Sequence, residues 1–290
     1  MTPHPSLSIV VPAYNEAERL PAMLREVLDF VRDEARSAEI IVVDDGSTDG
    51  TSEEVRRLAV HHPIVRLIRL PQNRGKGYAV RTGVVNATGD RILFADADGS
   101  TPIAELHRLE RAMNAGADVA VGSRALPGDG VVVTARASRR LIGRVFQMLV
   151  RRLTISDVVD TQCGFKLFSS RAGHELFSRL RMDRFSFDVE VLMMAVRWGF
   201  RVAEVPVNWT HREGSKVNVV TDGLSMAIDL FRIRGNALRG RYAAPHIRVH
   251  TPPAHAALAS TPRGGAVPSE RAERRDDAVA PERRRESRPH

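Results

Sequence analysis

The strongest constraint on how this chain can fold is an alternation running through its first 122 residues. Short, uninterrupted apolar runs take turns with longer segments whose apolar residues recur at helical spacing. Ser6–Val11 (S-L-S-I-V-V) reads as a buried strand, and Glu16–Val31 places Leu20, Met23, Leu24, Val27, Leu28 and Val31 on one helical face. The order continues with a strand at Glu39–Val43, a helix near Thr51–Ala59, a strand at Val65–Leu70 and a helix near Gly75–Asn86. A strand at Arg91–Ala95, a helix at Pro102–Asn114 and a strand at Asp118–Gly122 follow. Strands that are apolar on both faces need cover on both faces. The pattern therefore predicts an α/β fold, a mostly parallel sheet with helices on each side. No repeat with a solenoid's period is present.

Composition narrows what such a fold can be for. The 290 residues are 43% hydrophobic and 27% charged, as in an ordinary soluble protein. The single cysteine, Cys163, excludes an internal disulfide framework and a multi-cysteine zinc site. No apolar run is long enough to span a bilayer, and the N-terminus lacks the basic start and apolar stretch of a signal peptide. These features point to a reducing cytoplasm. The net charge of +8 favours anionic partners: nucleic acid, anionic lipid or phosphate-bearing substrates. Aromatic residues, at 5%, are too few for a stacking platform that binds single strands. Part of the charge sits in residues 243–290, which contain no Phe, Trp or Tyr and are rich in Pro, Ala and Arg. Such a segment cannot bury enough apolar surface to offset its ordering entropy, so it is expected to be a disordered tail behind a domain of residues 1–242.

Sheets of this kind bind ligands at the carboxyl ends of their strands. Those positions are acidic here: Pro12-Ala13-Tyr14-Asn15-Glu16, then Asp44-Asp45-Gly46-Ser47-Thr48-Asp49-Gly50, then Asp96-Ala97-Asp98-Gly99-Ser100. Two carboxylates one residue apart suit a hard cation such as Mg²⁺, which takes one or two carboxylates and completes its shell with substrate phosphates. Read alone, D-A-D-G is also an ordinary Asp-rich turn. Asp49 or Ser47 can cap the helix that follows, while Asp45 can accept a hydrogen bond from a nucleobase N–H. Glu16 has the bland reading of a first-turn helix acid. Asn73-Arg74-Gly75-Lys76-Gly77 has the flavour of a phosphate loop but not the Walker spacing, and no G-x-G-x-x-G follows the first strand. A P-loop NTPase and a dinucleotide oxidoreductase are therefore disfavoured. A metal-held nucleotide diphosphate fits better.

These motifs in this order, I-V-V-P-A-Y-N-E, V-V-D-D-G-S-T-D-G-T, N-R-G-K-G-Y-A-V-R-T-G and A-D-A-D-G-S, resemble the family-2 inverting glycosyltransferases of GT-A fold, over roughly Leu7 to Arg241. D-T-Q-C-G-F-K-L-F at 160–168, F-D-V-E at 187–190 and E-G-S-K at 213–216 look like the polyprenyl- or dolichyl-phosphate β-glucosyltransferases. The resemblance implies a donor half, about residues 1–122, and an acceptor half, about 123–242. It implies hexose transfer from a nucleotide-sugar donor, UDP-glucose above all, to a polyprenyl-phosphate lipid. Pro12, Tyr14, Glu16, Asp44, Asp45, Lys76, Asp96, Ala97 and Asp98 would bind the donor, with Asp45 on the base and Asp44 supporting its turn. Asp96, Asp98 and Ser100 would hold Mg²⁺ or Mn²⁺. Asp98, Arg124, Asp188 and Lys166 would form the catalytic set, Arg124 meeting a phosphate and Asp188 and Glu190 lying near the sugar. Arg139, Arg140, Gln162 and Lys166 would face the acceptor.

The alternatives are a GDP-mannose-dependent enzyme on the same lipid and a same-fold transferase with a soluble acceptor. From a different class, a basic nucleic-acid-binding protein would explain the charge but not the acidic pocket, so nucleic acid is not expected as a partner. Two cationic amphipathic segments are candidates for contact with an anionic membrane surface. In Arg136–Arg152, Leu141, Val145, Met148 and Leu149 form an apolar stripe; in Gly223–Arg241, Leu224, Ile228, Phe231 and Leu238 do. The first also reads as a helix docked on the domain with solvated arginines. Peripheral attachment to the inner face of the cell membrane is the expectation for a cytoplasmic enzyme that must reach a lipid.

Overall fold

The computed structural model describes residues 4–134, 147–212 and 219–244, with only the backbone of 219–222. The 243–290 tail, apart from its first two residues, lies outside the described residues, as do Arg139, Arg140, Leu141, Val145 and the E-G-S-K motif.

The expected strands and helices form, with small shifts at their ends. The strands of the first half are β1 (Leu7–Ala13), β2 (Ala38–Asp44), β3 (Val65–Arg69), β4 (Arg91–Ala95) and β5 (Val119–Ser123). Between them lie α1 (Leu20–Asp33), α2 (Thr51–His61), α3 (Lys76–Val85) and α4 (Leu106–Asn114), the last entered through a 3₁₀ turn at Ile103–Glu105. The second half adds β6 (Val133–Thr134), α5 (147–153), β7 (Phe165–Ser169), α6 (Ser170–Phe177), α7 (Phe187–Arg197), β8 (Val202–Pro206), β9 (Trp209–Thr210) and α8 (Val219–Leu238). The main sheet has seven strands in the order β3-β2-β1-β4-β7-β5-β8. All its neighbours are parallel except β7, which runs antiparallel to both β4 and β5.

Alternate residues of each strand feed two cores, one on each face. Ile9, Val11, Ile40 and Val42 meet the apolar face of α1 and α4, where Leu20, Met23, Leu24, Val27, Leu28 and Val31 are all buried. Each such side chain contributes about 1.5–3 kcal/mol relative to exposure. Val10, Ile41, Val43, Phe94 and Phe168 face the other way, against α3, α6 and α7. Helix α3 lies so close to the sheet that a Cβ on Gly83 would stand 2.3 Å from Val10 Cγ1.

The sequence reading placed Lys166 on an acceptor loop. It is instead in the middle of β7 and fully buried. F-K-L-F is a short run buried on both faces, as a central strand requires, and the lysine is tolerated inside because an acid meets it there. Helix α8 has two unlike faces. Leu230 and Ile233 are buried in the core, with Asp229 and Asn236 beside them, whereas Leu224, Ile228, Phe231 and Leu238 are exposed. On α5 the stripe is not the buried side: Met148 is exposed, Leu149 is partly packed, and Val150 makes the core contact.

Gly83→Ala is expected to lower the urea midpoint by an amount equivalent to about 1–3 kcal/mol, the cost of overpacking. Equilibrium unfolding of the two proteins checks it, and an unchanged midpoint would show that the helix can back away.

Candidate active site

The carboxyl ends of β1, β2 and β4 open into one cavity of about 340 Å³. Its walls include Pro12, Ala13, Tyr14, Glu16, Asp45, Lys76, Asp96, Ala97 and Asp98, so eight of the nine residues expected at the donor converge on one space. Asp44 is behind this wall rather than in it. Fully buried, it accepts hydrogen bonds from the Ser47 amide at 2.8 Å and from the Ser52 hydroxyl, and so shapes the turn as expected. The turn is laced to the end of β1: the Asn15 amide donates to Ser47 Oγ, the Thr48 amide to Asn15 Oδ1 and the Glu16 amide to Thr51 Oγ1, each at 2.8 Å. Asp49 accepts the amide of Thr51, the first residue of α2, and so serves as the cap from one position before the N-cap Gly50.

Asp45 has a structural part that the sequence reading did not give it. Its two oxygens accept the backbone amides of Arg74 and Gly75 at 2.7 and 2.8 Å, so it clamps the 73–76 loop onto the pocket as well as lining it. Burial pushes its carboxyl above the usual range against those two donors, with Asp44 adding to the rise. Glu16 is bound in turn by Arg19, whose Nε and Nη2 reach its carboxylate at 2.7 and 2.5 Å.

Asp96 is held from both sides. Its amide donates to the Gly164 carbonyl at 3.0 Å, and a Cβ on Gly164 would fall 1.9 Å from Asp96 Oδ2. The ammonium of Lys76 lies 2.7 Å from Asp96 Oδ1 as an ion pair, and that buried oxygen takes no hydrogen bond from any other described residue. Burial opposes the charge on Lys76, yet Asp96, Asp188 and Asp98 outweigh it and hold the ammonium above its ordinary pKa. Asp98 Oδ1 accepts the Ser100 amide at 2.9 Å. Ser100 is buried and does not line the cavity, which argues against it as a ligand. Among the described residues no group of three or more His, Cys, Asp or Glu gathers as a cage. Two carboxylates in a pocket, one with an under-coordinated oxygen, fit a Mg²⁺ or Mn²⁺ that takes its remaining ligands from a diphosphate.

The other members of the expected catalytic set sit behind the pocket. Asp188, on α7, is buried and meets Lys166 Nζ at 2.5 Å, and the same ammonium donates to the Cys163 carbonyl at 2.6 Å. Burial raises the Asp188 carboxyl despite both lysines. Glu190 does not line the cavity. Its Oε2 accepts the Arg181 and Met182 amides at 2.9 and 2.7 Å, and its Oε1 accepts the Tyr242 hydroxyl at 2.5 Å. Burial raises the pKa of both Glu190 and Tyr242. Arg124 is occupied too: its Nε and Nη2 bind Asp160 at 2.7 and 2.8 Å, and its own amide adds a third bond. Burial works against Asp160 as an anion, but Arg124 overrides it and lowers its pKa. Gln162 follows this pair without lining the cavity, and its Nε2 is buried without a partner among the described residues. Cys163 is fully buried, which pushes its thiol up to about 12 and leaves it inert.

Three contributors escaped the sequence reading. Glu204, on β8, accepts the Val159 and Asp160 amides at 2.8 Å each and the Ser123 hydroxyl at 2.6 Å, fixing the 159–164 loop. A lone acid inside V-A-E-V-P was its signal. Arg184 brings a cation to the cavity wall just before F-S-F-D-V-E. Arg19, one turn after Glu16, brings another.

The model described as Glycosyl transferase family 2 matches residues 8–177 of this chain. The chain belongs to that family. A Homo sapiens dolichyl-phosphate beta-glucosyltransferase is 40% identical over 260 residues, 85% of this chain and 80% of the relative. Its Dictyostelium discoideum counterpart is 38% identical over 246 residues, 81% and 75%. Among solved structures, glucosyl-3-phosphoglycerate synthase from Mycobacterium tuberculosis, in complex with Mn²⁺, uridine-diphosphate and phosphoglyceric acid, superposes with a TM-score of 0.59 at 20% identity, covering 83% of this chain and 80% of that one. At that identity the likeness carries the fold, which is GT-A. The chain is thus a family-2 glycosyltransferase of GT-A fold.

Asp160→Ala is expected to cost about 3 kcal/mol, because it leaves the Arg124 charge uncompensated in a partly buried site. The pH dependence has a definite sign. A lowered folded-state pKa gives stabilisation that is complete above the ordinary aspartate value of about 3.9 and is lost as pH falls through the folded value. Urea midpoints at pH 7 and across the acid range should therefore fall less steeply with acid in Asp160→Asn than in the native protein.

Proposed function

We propose that this glycosyltransferase moves glucose from UDP-glucose to a polyprenyl phosphate, with inversion, at a membrane surface. One observation carries the proposal: an acidic D-A-D end of β4 lines a cavity to which Lys76 and Arg184 also contribute, in a chain 38–40% identical to dolichyl-phosphate glucosyltransferases over four-fifths of its length. Asp96 and Asp98 would hold a divalent cation, which when bound supplies positive charge to the departing diphosphate.

The remaining requirements fall on the chain's own residues. A phosphate monoester has a second pKa near 6, so it reaches the site already ionised and needs no general base. An acceptor oxygen attacks the anomeric carbon as the bond from that carbon to the diphosphate oxygen breaks, and the electron pair leaves with UDP. The protein must hold two anions within reach of each other and keep water away from the sugar. Asp188 is buried against Lys166 and does not line the cavity, so its part is to fix the charges behind the pocket. The Asp160–Arg124–Glu204 assembly holds rigid the loop that carries Gln162 toward the acceptor side.

Among the described residues no helix is long and apolar enough to cross a membrane. The exposed side of α8 suits an interfacial contact instead. Leu224, Ile228, Phe231 and Leu238 share one face by their spacing, and Arg232, Arg234 and Arg239 flank it. We place this face against anionic lipid on the cytoplasmic side.

Purified protein with Mg²⁺, polyprenyl phosphate and labelled nucleotide sugars should yield a lipid-linked hexose with UDP-glucose as the best donor; no product from any donor would sink the proposal. Asp98→Ala should lose transfer by at least about a hundredfold while circular dichroism stays native. Phe231→Asp should sediment less with anionic vesicles yet still glycosylate a short-chain prenyl phosphate in solution. Equal sedimentation of both proteins would remove α8 from the membrane contact.

A further inference from the structure

Lys76 occupies an unusual place. It is the first residue of α3, it lines the cavity, and its ammonium makes the ion pair with Asp96, the carboxylate best placed for a metal. A metal ion and an ammonium cannot both take that oxygen. Lys76 Nζ also lies over the Phe94 ring, 5.3 Å from its centroid, with Lys166 Nζ 5.7 Å from the same ring. Behind the ring Asp188 pairs with Lys166, and its charge also acts on Lys76. The ammonium therefore has a supporting field on its inner side that does not depend on Asp96. Its contact with Asp96 is a single ion pair at 2.7 Å on one oxygen, which a flexible lysine stem can make or leave.

We propose that Lys76 is an exchange cation: it neutralises Asp96 while no metal is bound, and when metal and donor enter together it hands Asp96 to the metal and moves onto the donor diphosphate. The inference rests on reading the cavity as a metal–diphosphate site, and deepens it. The four-carbon stem of lysine lets its compact charge move between partners in one cavity, which a bidentate arginine fork would resist. Keeping the ammonium on Asp96 makes the empty site a poor trap for free metal. Giving it a new anion makes metal and donor bind each more tightly in the presence of the other.

Linkage makes the proposal measurable without turnover. Mn²⁺ binding is followed by the loss of the free-ion paramagnetic resonance signal, with and without UDP, in the native protein, Lys76→Gln and Lys76→Met. The neutral variants should bind Mn²⁺ without UDP at least about fivefold more tightly than the native protein. At saturating Mn²⁺ they should bind UDP at least about fivefold more weakly, so that the mutual enhancement shrinks. Arg184→Gln separates exchange from a change in overall charge. It removes a cation from the same cavity wall that has no ion pair with Asp96, and it should leave Mn²⁺ affinity without UDP within about twofold of native.

Unchanged or weaker Mn²⁺ binding in both neutral Lys76 variants overturns the exchange. So does undiminished UDP binding, which would mean that the ammonium never reaches the diphosphate, or an equal gain in Arg184→Gln. If the native protein binds no Mn²⁺ even with UDP, the metal–diphosphate reading falls and the exchange falls with it.

Discussion

A buried ion pair lies beneath everything this site does. Lys166 and Asp188 are almost wholly removed from water and meet at 2.5 Å. Two such charges are costly to desolvate, and losing either would strand the other in the core. Their contacts explain why the arrangement is worth having. Lys166 also ties down the Cys163 carbonyl, and the next residue, Gly164, supplies the carbonyl that receives the Asp96 amide. The pair thus sets the height of the strand end on which the D-A-D carboxylates sit. It does so only because β7 runs antiparallel between β4 and β5, which turns the start of that strand toward the end of β4.

The cavity wall and the loops beyond it are each secured by polar side chains. At the wall, neighbouring loops are laced by backbone amides that donate to Asn15, Ser47, Thr51, Asp44 and Asp45. Most acids of the V-V-D-D-G-S-T-D-G-T motif therefore serve the backbone, and Asp45 also lines the cavity. Beyond the cavity wall the work is done by buried and half-buried acids. Glu204 fixes the 159–160 amides, Asp160 binds Arg124, and Glu190 secures the 181–182 amides next to Arg184. What looks in the sequence like a ring of catalytic acids is largely a set of clamps around a small number of groups exposed to substrate.

That division explains what could be read in advance. The strands, their order along the chain and the convergence of Pro12, Tyr14, Asp45, Asp96 and Asp98 were legible, because periodicity reveals buried strands and strand ends in such sheets face one rim. The roles of Lys166, Asp188, Glu190 and Arg124 were not. Their motifs marked them, but a motif does not say whether a charged side chain faces the substrate or another side chain. That depends on pairings across more than twenty residues, such as Lys166 with Asp188, Arg124 with Asp160 and Glu190 with Tyr242. Glu204 had a local signal, an acid inside an apolar strand, yet nothing local names the amides it serves.

The bond between Glu190 and Tyr242 also sets a limit on how this protein can be trimmed. Tyr242 follows α8, is buried, and receives the Trp198 indole N–H on its own carbonyl. A chain cut before it takes away one of the three donors on Glu190: Oε1 loses the Tyr242 hydroxyl, while Oε2 keeps the Arg181 and Met182 amides just before Arg184. A residue nearly sixty positions later thereby bears on the seating of an arginine that lines the pocket.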